Sequence, residues 1–142
     1  MTTATRPAGA AAGVYSHPFR VYWEDTDAGG VVFYANYLRF FERARTEWLR
    51  ALGIAQQRLL DDTGVMFVVA EARLRWLKPA RLDDLLDVSV APRPPGRATL
   101  ELDQQAWRGA DLLAEAAVRI GCVDAGTFRA RRIPKSVIER LP

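Results

Sequence analysis

The chain has 142 residues, the length of one ordinary domain, enough to bury a core and too short for two. Hydrophobic residues make up 49% and charged residues 26%, which excludes a disordered polymer; the longest purely apolar run, Val65 to Ala70, falls far short of the roughly 20 residues of a membrane-spanning helix. A net charge of +3 comes from 20 basic residues scattered among 17 acidic ones, a pattern that argues against a nucleic-acid stripe and suits a small anionic ligand.

Residues 1–13 are small and polar, carry one Arg and lack the apolar centre of a secretory signal. They are expected to form a disordered N-terminal tail ahead of a single domain over residues 14–142 in a cytoplasmic protein. The first element is a strand over His17 to Trp23, rich in aromatic and β-branched residues and ended by Glu24-Asp25-Thr26-Asp27. Ala28-Gly29-Gly30 then loosens the backbone just before a helix. In that helix Tyr37, Phe40, Phe41, Ala44, Trp48 and Leu52 recur at helical spacing, and Gly53 ends it.

A linking region around Asp61 to Gly64 follows. The period then changes to two, with Ala70, Ala72, Leu74 and Trp76 alternating with Glu71, Arg73 and Arg75 as a half-buried strand. Pro79 ends it. A short strand, Leu85 to Ala91, leads through Arg93-Pro94-Pro95-Gly96 into another, Arg97 to Trp107. Arg108-Gly109-Ala110-Asp111 makes a hairpin into a strand with Leu112, Ala114, Ala116, Val118, Ile120 and Cys122 on one face. The single cysteine, Cys122, falls in that alternating segment and reads as a buried structural thiol. The order predicts an α+β protein in which a four-strand antiparallel meander backs one long helix. Strands with so apolar a face and so few helices to cover them predict a second subunit against the sheet.

There is no Cys/His cluster for a metal, no Gly-rich phosphate loop with a following Lys, and no Ser or Cys with a spare His. The one histidine, His17, precedes Pro18 in the first strand and reads as structural. Any catalysis therefore falls to carboxylates. The densest cluster runs from Glu24 to Tyr37: a carboxylate-rich turn, two glycines, and the start of an apolar helix. A helix start offers unpaired N–H groups that polarise a carbonyl, and a nearby carboxylate attacks it or activates water. From spacing alone, Asp25 or Asp27 capping a turn is at least as good a reading.

The stretch Tyr22 to Arg45 resembles the signature of the 4-hydroxybenzoyl-CoA thioesterase family, especially the bacterial acyl-CoA thioesterases associated with the Tol-Pal system. The resemblance continues through Val68-Val69, Leu77-Lys78-Pro79-Ala80-Arg81-Leu82-Asp83-Asp84, Cys122-Val123-Asp124 and Arg132-Ile133-Pro134-Lys135-Ser136. It implies a hot-dog fold, a curved antiparallel sheet wrapped around one long central helix, and hydrolysis of an acyl-CoA to a free acid and CoA. The second aspartate of the D-x-D-x-x-G pattern carries the chemistry in that family, which places the role on Asp27 as nucleophile or general base. The family's carbonyl-polarising backbone N–H falls on Tyr34, with those of Gly29 and Gly30 as candidate helpers.

One departure stands out: Tol-Pal-associated members typically have histidine where this chain has Tyr34, whereas the 4-hydroxybenzoyl-CoA enzyme is like this chain there. This leaves aryl and aliphatic acyl groups open. Asn36 at the helix start, and Lys78, Arg97, Arg131 and Arg132 near strand ends and turns, are candidates for binding substrate, the basic ones for the CoA phosphates. Glu71 is a minor second carboxylate. No metal or organic cofactor is implied, and the expected assembly is a homotetramer built from dimers, with acyl carrier protein as a further candidate partner. The alternative function is a hot-dog module that binds acyl-CoA or acyl carrier protein without hydrolysing it.

Overall fold

The computed structural model describes residues 14–142; the tail expected over residues 1–13 lies outside the described residues. Strand β1 spans Tyr15–Arg20 and not His17 to Trp23. It stops early because Val21 exchanges backbone hydrogen bonds with Asp83 and Asp84, and the chain then tightens into a 3-10 turn over Trp23–Asp25. A second 3-10 turn, Tyr34–Asn36, runs directly into helix α1, Tyr37–Ala51.

The stripe Tyr37, Phe40, Phe41, Ala44 and Trp48 is buried, and Leu52 sits just past the last turn. Gly53 adopts φ +81°, its N–H donating to Arg50 O while the N–H of the buried Ile54 donates to Leu49 O. That pair of hydrogen bonds is a Schellman stop, and the left-handed residue at its centre is the reason for glycine there. The expected link near Asp61 to Gly64 is the end of a short helix, α2, Gln56–Thr63, closed by Gly64 at φ +74°. Only Leu59 of this helix is buried, so its sequence carries little apolar periodicity to betray it.

Strands β2 (Val65–Trp76), β3 (Leu85–Pro92), β4 (Thr99–Arg108) and β5 (Asp111–Asp124) complete one five-stranded antiparallel sheet in the order β1-β3-β4-β5-β2. The four-strand meander is thus corrected to three strands, β3-β4-β5. β2 pairs with β5 at the far edge, because Leu77–Asp84 carries the chain across the end of the sheet, tied by the N–H groups of Leu77 and Lys78 to Leu113 O. A register shift at Ala70 changes parity within β2. Val69 and Ala72 stand opposite Ile120 and Val118 on the helix side, and Ala70, expected to point inward, is exposed. A two-residue turn at Gly109-Ala110, with Gly109 at φ +59°, joins β4 to β5 as expected. One turn of helix, α3 (Lys135–Ile138), follows the sheet and buries Val137.

Helix α1 packs on β1, β3 and β4. Phe40 and Phe41 are wholly buried with Leu86, Val88, Val90, Leu102 and Ala106. Cys122 is buried in the same core, and burial pushes its thiol up, as suits a packing residue. On the helix-side face of β2, Val65 is buried and Phe67 packs on the core, whereas Val69 and Ala72 are left exposed. No helix of the described residues is long and apolar enough to cross a membrane.

Candidate active site

The loop between β1 and α1 folds as a small hairpin. Thr26 bridges Val32, the N–H of Asp27 donates to Val31 O at 2.9 Å, and that of Gly30 donates to Asp27 O at 3.0 Å. Gly30 sits at φ +78° with nothing within 4 Å of the place a methyl group would take, so its backbone angle, and not crowding, demands glycine. The hairpin is fastened to the crossover after β2: Val32 N–H donates to Ala80 O, and Ala80 N–H donates to the Tyr37 hydroxyl at 3.1 Å. Burial is the main reason that hydroxyl titrates above the ordinary range for tyrosine.

Two residues apart, Asp25 and Asp27 meet opposite fates. Asp25 is 3% exposed, and its carboxylate accepts from Tyr22 N–H at 2.8 Å and from Asn36 Nδ2 at 2.9 Å. Its backbone O accepts from Phe33 N–H at 2.9 Å. Asp25 therefore knots both ends of the loop together. Asp27 is exposed at the turn; its Oδ1 accepts from Gly29 N–H at 2.8 Å, and its Oδ2 has no hydrogen bond among the described residues. One lobe is thus anchored as an Asx turn while the other is free.

Gly29 and Gly30, the expected helpers, give their N–H groups to Asp27, one to its carboxylate and one to its carbonyl. The Tyr34 N–H is the opposite case. It opens the 3-10 turn and, with that of Ala35, donates to no group among the described residues. The Tyr34 peptide is also held from the sheet: Trp76 Nε1 donates to Tyr34 O at 3.0 Å, and the two rings meet edge to face with centroids 5.7 Å apart. The Phe33 and Tyr34 rings meet at a tilt of 54° with centroids 4.9 Å apart. Phe33, Tyr34, Leu38, Trp76 and Leu77 together form an exposed apolar surface beside the free N–H.

Asn36 is buried and gives its Nδ2 to Asp25, so its amide supports the loop from within. Lys78 lies at this end of the sheet, in an exposed ion pair with Asp111 at 3.1 Å that holds the Asp111 carboxyl below its ordinary range. Arg97, Arg131 and Arg132 gather at the other end: Ile133 N–H donates to Arg97 O, and Arg131 pairs with Asp124 at 2.8 Å. From Ala114, opposite Trp76, to Asp124 is about 34 Å of strand at roughly 3.4 Å per residue. The three arginines are not brought to Asp27 within one chain. Glu71 is exposed just past the shift in β2, and no three His, Cys, Asp or Glu side chains among the described residues come together as a metal site. Trp76 was visible only as an inward position of an alternating strand; its bond to a carbonyl 42 residues away has no local signal.

Residues 21–141 match the family model of the thioesterase-like superfamily. The acyl-CoA thioesterase YbgC of Haemophilus influenzae is 46% identical over 123 residues, covering 87% of this chain and 90% of that protein. A 1,4-dihydroxy-2-naphthoyl-CoA hydrolase of Thermosynechococcus vestitus is 33% identical, covering 72% of this chain and 71% of its own length. Among solved structures, a probable thioesterase from Bartonella henselae superposes with a TM-score of 0.80 at 32% identity, covering 85% of this chain and 99% of that one. The chain belongs to the thioesterase-like superfamily and has its hot-dog fold.

Proposed function

We propose that the protein hydrolyses acyl-CoA thioesters, with Asp27 as the catalytic carboxylate and the Tyr34 N–H as the group that polarises the thioester carbonyl. The observation that carries this reading is the contrast within one loop: a carboxylate anchored by one oxygen and free at the other, and a helix-start N–H left without an acceptor. Asp27 Oδ2 adds to the thioester carbon, giving a tetrahedral oxyanion held by the Tyr34 N–H. Collapse breaks the C–S bond, releases CoA thiolate and leaves a mixed anhydride that water hydrolyses. In the general-base variant the same oxygen takes a proton from the attacking water. Neither route draws on a metal or an organic cofactor. The relatives that share the sequence at 41–46% identity bear the names acyl-CoA thioesterase or thioester hydrolase, which supports CoA thioesters as the substrate class.

The functional unit in this reading is at least a two-fold dimer. β2 is a 12-residue edge strand whose outer edge has no partner among the described residues and whose helix-side Val69 is 51% exposed. Antiparallel pairing of two such edges turns one chain's Arg97, Arg131 and Arg132 end toward the other chain's Asp27 end. That gives the CoA phosphates a basic landing site that a single chain lacks. A tetramer as a dimer of dimers is the proposed assembly, in the cytoplasm, and an acyl carrier protein thioester presents the same bond to the same site.

The test is thiol release from short, long and aromatic acyl-CoAs by wild type and Asp27→Asn. The expected outcome is hydrolysis of at least one member and a loss on the order of 10²–10⁴-fold in the variant, the usual worth of a positioned acid-base or nucleophilic group. Tight acyl-CoA binding with no hydrolysis anywhere would replace this reading with the non-hydrolytic module. A single turnover in ¹⁸O-water that labels Asp27 identifies the anhydride route.

A further inference from the structure

Helix α1 and the uncovered strand β2 leave a groove of about 460 Å³ between them, lined by Leu38, Phe41, Val69, Leu74, Ala116 and Val118. It starts beside the Tyr34 turn, at Leu38, and is almost wholly apolar except on the helix wall, which carries Arg39 and Glu42. On that wall Arg45 comes off the middle of α1. The Arg45 guanidinium is partly buried, and no carboxylate among the described residues lies within ion-pairing distance of it. Burial is the chief influence on it and pulls its proton affinity down, with the charge of Glu42 a smaller opposing effect. A cation drawn partly out of water gains from an anion placed beside it, and structures ordinarily pair such a group.

The position of this cation is also built. Arg45 Nη1 donates to Gln104 Oε1 at 3.0 Å. Gln104 is 1% exposed, and its Nε2 donates to Phe41 O at 3.0 Å and Ser89 O at 3.4 Å. Both amide protons point into the core, which forces the amide oxygen toward Arg45. A surface arginine lying along an apolar wall does not require a buried glutamine to aim it. The bond to Gln104, itself tied to Phe41 O, sets the guanidinium near the level of Phe41. Seven residues, three of 3-10 turn and four of α-helix, separate that level from Tyr34, roughly 12 Å at about 2.0 and 1.5 Å per residue, a span that a medium-length acyl chain covers.

We infer that Arg45 is a specificity residue that receives a carboxylate at the far end of the acyl chain, so that the preferred substrates are ω-carboxyacyl-CoA thioesters of medium length. This rests on the thioesterase reading above. The thioester carbonyl sits at the Tyr34 N–H, the methylenes lie on Leu38, Val69 and Leu74, and the distal carboxylate meets the free side of the Arg45 fork. The other source of such a carboxylate is an acidic side chain of a second copy of this chain, and the experiment separates the two.

The experiment compares kcat/KM for ω-carboxyacyl-CoA and for methyl-terminated acyl-CoA of matched length, with wild type, Arg45→Met and Arg45→Lys. Wild type is expected to favour the carboxylate-ended chain. Arg45→Met should lower the ratio of the two constants at least tenfold, and Arg45→Lys should restore part of it. Equal loss on both chains, or a wild type that favours the methyl end, overturns the inference while leaving the thioesterase reading intact. A change in oligomeric state by light scattering in Arg45→Met, with the ratio unmoved, assigns the carboxylate to the second copy and likewise overturns it. Absence of hydrolysis of every acyl-CoA by wild type instead overturns the underlying reading.

Discussion

Replacing Asp25 by Ala removes two charge-assisted hydrogen bonds at once and leaves Tyr22 N–H and Asn36 Nδ2 without acceptors. Asn36 is 8% exposed, so its orphaned amide bears most of the desolvation penalty, about 2–3 kcal/mol; Tyr22 is exposed and regains water, leaving a cost of about 1 kcal/mol. The sum, about 3–4 kcal/mol, is a large share of the 5–15 kcal/mol that holds a typical domain. For a chain of this size it corresponds to a fall of about 10 °C in melting temperature. Thermal unfolding followed by circular dichroism, beside thiol release, is the assay. Asp25→Ala is expected to melt early and to lose turnover because Phe33 and Tyr34 are released with the loop. Asp25→Asn keeps the shape, and a flipped Asn36 amide restores one bond, so it is expected to lose only about 1 kcal/mol and to keep a good share of activity. Asp27→Asn should melt like wild type, since Gly29 N–H still finds the amide oxygen. An Asp25→Ala variant that melts with wild type, or a double-mutant cycle with Asn36→Ala showing no coupling, refutes the reasoning.

Trp76→Phe keeps the edge-to-face ring contact with Tyr34 and removes the indole N–H. Steady-state kinetics should show kcat lowered about 3- to 10-fold with KM little changed, since a net hydrogen bond of about 1 kcal/mol is lost from the turn that presents the N–H; an unaltered kcat refutes the positioning role. Asp87 is 9% exposed, its Oδ1 is buried without a partner, and burial raises its affinity for a proton above the ordinary carboxyl value of 3.8. A carboxyl raised in the folded state favours folding while protonated and loses that contribution as pH climbs from the unfolded value through the folded one. Asp87→Asn should therefore melt above wild type at pH 7, and the gap should close as pH is lowered toward 4. A gap that widens on acidification contradicts the assignment.

The elements legible beforehand were those fixed by local rules. The stripe of α1, the Gly53 stop and the Gly109-Ala110 hairpin are encoded within a few residues of themselves, so spacing suffices to find them. The place of β2 was not legible, because a period of two fixes which face a residue occupies and is silent about which strand lies beside it. The same limit hid the Arg97, Arg131 and Arg132 cluster, three positions near strand ends that turn out to share the end remote from Asp27. Within the loop, Asp25 and Asp27 could not be told apart by spacing, and resemblance alone favoured Asp27. What distinguishes them is burial and partner count, which depend on Asn36 arriving from the start of α1 and on Ala80 arriving from the crossover.

The off-centre seat of α1 connects these features. Its bulky ridge, Phe40, Phe41 and Trp48, fills the space over β1, β3 and β4, while Ala116 on β5 and Ala72 on β2 are too small to reach up to the helix from the other side. Protein interiors pack at the density of organic crystals, so volume left beside a helix in this way is not a core that failed to close. It begins at the turn that carries the free N–H, it is bounded by β2, one of the two edge strands of the sheet, and its single charged wall is braced from the core. In the proposed mechanism the off-centre seat of this helix leaves the channel for the acyl chain next to the edge offered to a second copy, which ties substrate length to dimer geometry. Changes that enlarge Ala72 or Ala116 should shorten the preferred acyl chain before they alter the rate at Asp27.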